Sequence, residues 1–254
     1  MMARNAGSRP RSSQPPSDEY ESDASPSEAV RETYSCDGIT HHRRTPDAVV
    51  LPRSTEQVAE VVHWCAQNSV PFVPRGAGTG LSGGATPTTE CVVISTARMK
   101  RILEIDSVDR RARVEVGVIN ADLTRATAPV GLHYAPDPSS QTACTIGGNV
   151  AENSGGIHCL KYGLTVHNIL ELEIITIDGV RLTIGGAALD SPGYDLLALM
   201  TGSEGLLGVI VEVRVKLLPK PESARVLLAA FDQVEAAGET VGEIIAEGII
   251  PAGL

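Results

Sequence analysis

The residues best placed to do chemistry in this chain are mostly uncharged. Pro74-Arg-Gly-Ala-Gly-Thr-Gly-Leu-Ser-Gly-Gly84 puts five glycines into the nine positions from Gly76 to Gly84. Backbone without side-chain bulk lets successive N–H groups converge, forming a nest that suits a pyrophosphate. Within the loop, Gly78-x-Gly80-x-x-Gly83 has the spacing of a dinucleotide fingerprint. That fingerprint also needs a helix to open at the loop and an acidic residue about 20 positions further on. Gly84-Ala-Thr-Pro87 stops any helix there, so a nicotinamide-dinucleotide site of this type is not expected. No Gly-x-x-x-x-Gly-Lys-Ser/Thr motif is present, which removes a nucleoside-triphosphate P-loop from consideration. Taken alone, the loop reads equally as a cluster of structural turns or as a phosphate cradle.

Two further stretches carry the same signature. Pro136-Asp-Pro-Ser-Ser140 is followed by Thr145-Ile-Gly-Gly-Asn-Val-Ala-Glu-Asn-Ser-Gly-Gly156, small and polar residues between apolar strands. Buried backbone without bulk is a surface against which a ligand packs. The competing reading is an irregular structural loop, since Gly and Asn are turn formers. Gly202-Ser-Glu-Gly-Leu-Leu-Gly208 precedes a long apolar strand and offers backbone contacts for an adenine or ribose.

Metal and acid–base chemistry have weaker signals. Apart from His41-His42, the histidines (His63, His133, His158, His167) stand singly, without His-x-Glu-x-His or His-Glu-x-x-His spacing. No metal site and no catalytic base is assigned. His63 falls on a helix face, and His158 and His167 flank a strand start, where a role near a ligand competes with ordinary hydrogen bonding. Cys36, Cys65, Cys91, Cys144 and Cys159 show no Cys-x-x-Cys spacing and read as scattered reduced thiols.

The elements that must position these loops follow from periodicity. Asp47-Ala-Val-Val-Leu-Pro52 opens the ordered chain, and Ser54-x-x-Gln57 is a capping box. Val58, Val61, Val62 and Cys65 then follow helical spacing. Val70–Val73 and Cys91–Ile94 are predicted strands, which makes a strand–helix–strand α/β unit. Arg113–Val118 alternates as a strand, and Asn120 is expected to cap a helix reaching about Val130. Glu171–Ile177 and Val180–Ile184, joined by Asp178-Gly179, read as a hairpin with a type I′ turn. Val209, Val211, Val213, Val215 and Leu217 alternate with Glu212, Arg214 and Lys216, a half-buried strand ended by Pro219 and Pro221. Arg225–Phe231 reads as a new strand and Gln233–Glu247 as a helix. The expected domains are a disordered Ser/Pro-rich tail over 1–35, a two-lobed domain over 36–222, and the beginning of another unit over 223–254.

Composition narrows the class. The chain has 254 residues, 42% hydrophobic but only 3% aromatic, with 25 glycines. Lys+Arg 21 against Asp+Glu 31 gives a net charge of −10, which argues against nucleic acid or an anionic membrane as the main partner. No apolar run approaches the roughly 18 residues of a membrane span, and the N-terminus lacks the apolar segment of a secretory signal. A soluble cytoplasmic protein is expected.

In combination, Arg75–Gly84, Tyr134-Ala-Pro-Asp-Pro-Ser-Ser140, Ile146-Gly-Gly-Asn-Val-Ala-Glu-Asn153 and Thr201-Gly-Ser-Glu-Gly205 resemble flavoproteins of the p-cresol methylhydroxylase/vanillyl-alcohol oxidase (PCMH) type. Within them the chain is similar to the family of FAD-linked D subunits of bacterial glycolate oxidase (glycolate dehydrogenase). His158-Cys-Leu-Lys-Tyr-Gly-Leu-Thr-Val-His-Asn168 and Asp190-Ser-Pro-Gly-Tyr-Asp-Leu-Leu-Ala-Leu199 add to the likeness, which runs from about Tyr34 to Leu254. The resemblance implies an α+β fold: a two-lobed PCMH-type FAD-binding domain, a small α/β lobe followed by a mainly antiparallel one, with FAD extended between them. Arg75, Gly76, Ala77, Gly78, Thr79, Gly80, Leu81, Ser82 and Gly83 would wrap the pyrophosphate. Pro138, Ser139, Thr145, Gly147, Gly148 and Asn153 would line the flavin, and Glu204, Gly208 and Ile210 would lie toward the adenosine. Covalent relatives carry a His where Thr79 stands, so non-covalent FAD is expected.

The same resemblance implies oxidation of a 2-hydroxy acid such as glycolate, with hydride passing from its α-carbon to flavin N5 and the hydroxyl proton to a base. A second FAD-domain subunit and an iron–sulfur subunit are the implied partners, through which the protein would sit peripherally at the inner membrane. The substrate-covering half is expected beyond Leu254, so that 223–254 would begin a truncated cap domain. D-lactate and D-2-hydroxyglutarate dehydrogenases share these loops and are the alternatives. A catalytically incomplete FAD-binding module is the reading from a different class.

Overall fold

The computed structural model describes residues 27–186 and 193–254. Most of the expected disordered tail, and Asp190-Ser-Pro192 of the last motif, lie outside the described residues. The tail's final part departs from expectation: residues 28–32 form a short helix, α1 (Glu28–Glu32). Arg31 fastens it, donating from Nη1 to the carbonyl oxygens of Pro46 (3.1 Å) and Asp47 (2.9 Å). Ser35 just behind it is buried.

The α/β lobe forms as the apolar spacing requires. After β1 (Ala48–Val50) comes α2 (Thr55–Asn68), whose Val58, Val61, Val62 and Cys65 are buried. The Ser54 hydroxyl accepts from the Gln57 amide at 3.3 Å, but the Gln57 side chain takes the Arg53 amide rather than that of Ser54, so the expected box is only half made. β2 (Phe72–Arg75) and β3 (Val92–Ser95) start two residues and one residue later than predicted. β3 lies at the centre of a parallel sheet in the order β1-β3-β2 and is buried throughout.

The second lobe is an antiparallel sheet in the order β4-β5-β9-β7-β8. Its first strand, β4 (Ile102–Asp106), is an edge strand that periodicity missed, because its burial does not alternate. β5 (Arg111–Glu115) ends where Val116–Val118 was expected to continue. There the Gly117 amide donates to Met99 and the Val118 amide to Glu115, which turns the chain. α3 (Asn120–Thr127) follows and passes into a 3₁₀ turn over Ala128–Val130. Asn120 does not cap it; Ile119 holds that position, and the buried Asn120 side chain donates to the Pro136 carbonyl at 3.0 Å.

Beyond the short β6 (Leu132–His133), the Thr145–Asn153 stretch is a helix, α4 (Ile146–Glu152), rather than the irregular loop weighed above. A single helical turn, α5 (Cys159–Tyr162), and a 3₁₀ turn at Thr165–Asn168 lead into β7 (Ile169–Ile175) and β8 (Arg181–Gly185). The hairpin turn between them is not type I′, since Asp178 keeps a negative φ. Thr176 pairs with Val180, and the Gly179 amide donates back to Thr176 with Gly179 at φ +78, a three-residue loop built on a type I turn. α6 (Leu196–Met200) precedes β9 (Val209–Lys216), which lies between β5 and β7 and buries Val209, Val211, Val213 and Val215. Each such side chain contributes about 1.5–3 kcal/mol of transfer free energy. β10 (Leu218–Pro219) pairs with β6. The strand expected over 225–231 is absent: Val226, Leu227 and Leu228 are almost wholly exposed. The helix after it is present as α7 (Val234–Ala246).

One core joins the lobes. α2 packs on β3 of the first sheet and on β7 and β9 of the second.

Candidate functional site

The loop that leaves β2 is held from several sides. The Gly38 amide donates to the Gly80 carbonyl (2.9 Å), and Asp37 accepts from the amides of Ile39 (2.8 Å) and Gly83 (2.9 Å). Arg75 reaches under the loop to donate to the Ala85 carbonyl at 3.1 Å. The glycines are required by close approach. A Cβ on Gly76 would stand 2.4 Å from Oγ1 of Thr145, and one on Gly80 2.4 Å from a carboxylate oxygen of Glu152. Gly78 and Gly83 take φ +70 and +88, conformations that L side chains rarely adopt.

α4 supplies the opposite wall. Thr145 caps it, its hydroxyl accepting from the Gly148 amide at 3.3 Å, and Asn153 closes it in the left-handed conformation. Gly147 lets the helix press against the preceding chain: a Cβ there would come 2.6 Å from that of Val116. The Ser82 hydroxyl donates to Glu152 at 2.8 Å, and the amides of Gly202 and Glu204 donate to the carbonyls of Val150 and Ala151. Loop, helix and the 202–208 turn therefore enclose a common space.

That space is a cleft of about 360 Å³, within the range of small-molecule and cofactor sites. Gly76, Ala77, Gly78, Thr79, Gly80, Leu81 and Ser82 line one side, and Pro138, Ser139, Thr145, Gly148, Asn153 and Glu204 the other. A smaller recess of about 50 Å³ shares Gly76, Gly148 and Glu204 with it and is lined also by Arg75, Gly147, Gly208 and Ile210. Of the residues singled out by sequence, Gly83 alone lies in neither lining, and its amide is spent on Asp37. The lining also includes Ser140, Asn149, Glu152, Ser154 and Gly155, which lie in the stretches read as ligand-facing but were not individually assigned to the site. Thr145, Gly148, Asn149 and Glu152 follow 3–4 spacing, so a helical reading of this stretch would have found them.

The chemistry of the lining fits a phosphate-bearing ligand. Among the described residues, none of the backbone N–H groups from Gly76 to Ser82 donates to a protein acceptor. Nδ2 of Asn149 is buried without a partner. An unpaired buried donor is costly, so the Asn149 side-chain amide marks a place for an acceptor from outside the chain, beside the row of unused loop N–H groups. The acidic groups are less favourable: burial first, then the charges of Glu152 and Asp37, holds the Glu204 carboxyl above its ordinary range. Burial also pulls the Arg75 guanidinium and the His133 ring below their usual values. His63 is far from the cleft lining, on α2 beside Asp178, and His167 accepts from the Leu164 amide. Among the described residues no group of three His, Cys, Asp or Glu could hold a metal ion, and no helix is long and apolar enough to cross a membrane.

Residues 46–185 match the family of FAD binding domains. The glycolate oxidase subunit GlcD of Escherichia coli (strain K12) is 63% identical over 221 residues, 87% of this chain and 44% of that protein. A D-lactate dehydrogenase of Archaeoglobus fulgidus is 37% identical over 242 residues, 94% of this chain and 52% of that one. The chain thus spans about half the length of these relatives. An alkyldihydroxyacetonephosphate synthase superposes with a TM-score of 0.80 at 24% identity, over 92% of this chain and 44% of that one, which is a likeness of fold.

Proposed function

This chain belongs to the family of FAD binding domains, and on that premise we propose that it is the cofactor-holding part of a flavin-dependent dehydrogenase of 2-hydroxy acids, with glycolate as substrate. The observation that carries the choice of glycolate is 63% identity to a glycolate oxidase subunit, against 37% to a D-lactate dehydrogenase. FAD is the cofactor, and the cleft offers what its parts need.

When bound, FAD supplies the two-electron acceptor for oxidation of the substrate α-carbon. The chain's own residues bind and orient it. The amides of Gly76–Ser82 would take the pyrophosphate, and Pro138, Ser139, Thr145, Gly147, Gly148 and Asn153 would pack along the flavin. Glu204, Gly208 and Ile210 would flank the adenosine. Thr145 and Gly148 act together here, because the capping bond that starts α4 fixes the bare backbone forming the cleft floor. The base that accepts the hydroxyl proton is proposed to lie in the remaining half of the enzyme, with residues 223–254 leading into it. The relative's description as a subunit supports assembly with further chains, which we propose to be a second FAD-domain subunit and an iron–sulfur subunit receiving the electrons in the cytoplasm, peripherally at the inner membrane.

The test is the visible spectrum of the purified chain after reconstitution with FAD, before and after anaerobic glycolate. Bound flavin that bleaches with glycolate supports the dehydrogenase reading for this chain alone. Bound flavin that bleaches only once the rest of the enzyme is supplied supports the division of labour proposed. No bound flavin overturns the site.

A further inference from the structure

We infer that Arg75 is a positioning residue for the diphosphate of the cofactor, holding the glycine loop open from beneath and supplying the positive charge that the loop lacks. The inference rests on the FAD reading and deepens it.

The side chain is placed where only a clamp would be. Arg75 ends β2 opposite Ser95, and its own carbonyl accepts the Thr96 amide at 2.9 Å, so its backbone is fixed. The side chain folds back under the loop that follows and is only 8% exposed. Its guanidinium lies against Gly78: a Cβ there would stand 2.2 Å from Nη2, 2.5 Å from Cζ and 2.9 Å from Nε. Nη1 donates to Ala85, where the loop returns, and the Tyr34 ring packs beneath with its centroid 5.5 Å from Cζ. One planar group thus touches the middle and the end of the loop whose start it occupies.

Among the described residues its charge has no ion pair at contact distance, only the longer-range attraction of Asp37. No carboxylate lies within ion-pair distance of Arg75 among the described residues, and both oxygens of the nearby Asp37 are taken by the Ile39 and Gly83 amides. A buried cation in that condition is costly unless an anion completes it. Above it lie the unused amides of Gly76–Ser82, while Glu152 and Glu204 border the same cleft with negative charge. Among the described residues, a diphosphate entering between those two carboxylates would meet no positive side chain except this one in the cleft and its recess.

The test compares FAD with riboflavin, which carries the ring but no phosphate, by fluorescence titration of the wild type, Arg75→Gln and Arg75→Lys. Arg75→Gln keeps a planar donor and removes the charge. It should weaken FAD about tenfold or more and leave riboflavin unchanged within about twofold, the scale of one charge-assisted contact. Arg75→Lys keeps the charge and should hold the preference for FAD within about threefold of wild type, which carries the test if the Gln variant does not fold. Unchanged FAD affinity in Arg75→Gln, equal loss for both ligands, or a tenfold loss of FAD preference in Arg75→Lys would overturn the assignment. A wild type that binds no FAD would instead sink the cofactor reading.

Discussion

Nδ1 of His158 lies 2.5 Å from Oδ2 of Asp137, and this contact ties together the two segments that form one wall of the cleft. A carboxylate only accepts, so the ring N–H donates. Asp137 directly precedes Pro138 and Ser139, and His158 follows Ser154 and Gly155, all four in the cleft lining. Gly156 lets the segments touch, since a Cβ there would fall 2.3 Å from the Asp137 carbonyl oxygen. The Tyr162 ring joins from behind, its centroid 6.4 Å from that of His158 and 6.0 Å from that of His133.

Breaking this tie should loosen the wall without unfolding the lobes. Asp137→Ala and His158→Ala are each expected to cost about 1.5–3 kcal/mol in urea unfolding, as for other charge-assisted hydrogen bonds. Because both remove the same contact, the double variant should cost clearly less than the sum. Fully additive losses would show that the two side chains act independently.

Neighbouring glycines of α4 should respond in opposite ways. Gly147→Ala would drive a methyl group into Val116 in the core, and overpacking of that kind costs about 1–3 kcal/mol. At Gly148 a Cβ meets only the Thr145 hydroxyl, at 3.2 Å, and otherwise points into open space. Gly148→Ala should therefore stay within about 1 kcal/mol of wild-type stability, helped by helix propensity, while its methyl group narrows the cleft and weakens FAD. Equal stability losses in the two variants would refute the placement of the helix face.

Much of the architecture is legible in the residues, and the failures have local causes. Val58, Val61, Val62 and Cys65 declare the buried face of α2, and the valines of β9 declare a half-buried strand, because one face of each is apolar without interruption. α4 is hidden because Gly147 and Gly148 carry the worst non-proline helix propensity, and tertiary contact overrides it: Gly147 must be bare to pack on Val116. Asn120 has the identity of a cap, yet its side chain is drawn to Pro136. Leu227 and Leu228 look like a strand but have no partner strand here. The glycine loop was recognisable as a possible phosphate nest, whereas the clamp beneath it was not, since nothing in the spacing of Tyr34, Arg75 and Ala85 announces that they meet.

FAD should be bound without a covalent link. Attachment to the flavin ring needs a nucleophile in reach, and no His, Cys or Tyr lines the cleft among the described residues. Thr79, which does line it, offers only a hydroxyl of ordinary reactivity. Acid precipitation of the reconstituted protein should leave all the yellow colour in the supernatant. Flavin fluorescence that stays with the precipitated polypeptide on a denaturing gel would refute this.

Stability near neutral pH should rise when Glu204 loses its charge. Burial, and then the charges of Glu152 and Asp37, raises its carboxyl above the ordinary value of 4.5. A raised carboxyl binds its proton more tightly in the folded chain than in the unfolded one. Between the two values the folded chain therefore holds more protons, and stability falls as pH rises through that window. Above it the whole penalty of a charged Glu204 is present; below the unfolded value none remains. Glu204→Gln removes the penalty, so its melting temperature should exceed that of wild type at pH 7 and converge with it toward about pH 4. Thermal melts of both proteins without FAD, at intervals from pH 4 to 8, would measure the difference. A constant offset across that range would show that Glu204 contributes by packing rather than by charge, and a variant less stable at pH 7 would mean that its carboxylate has a favourable partner.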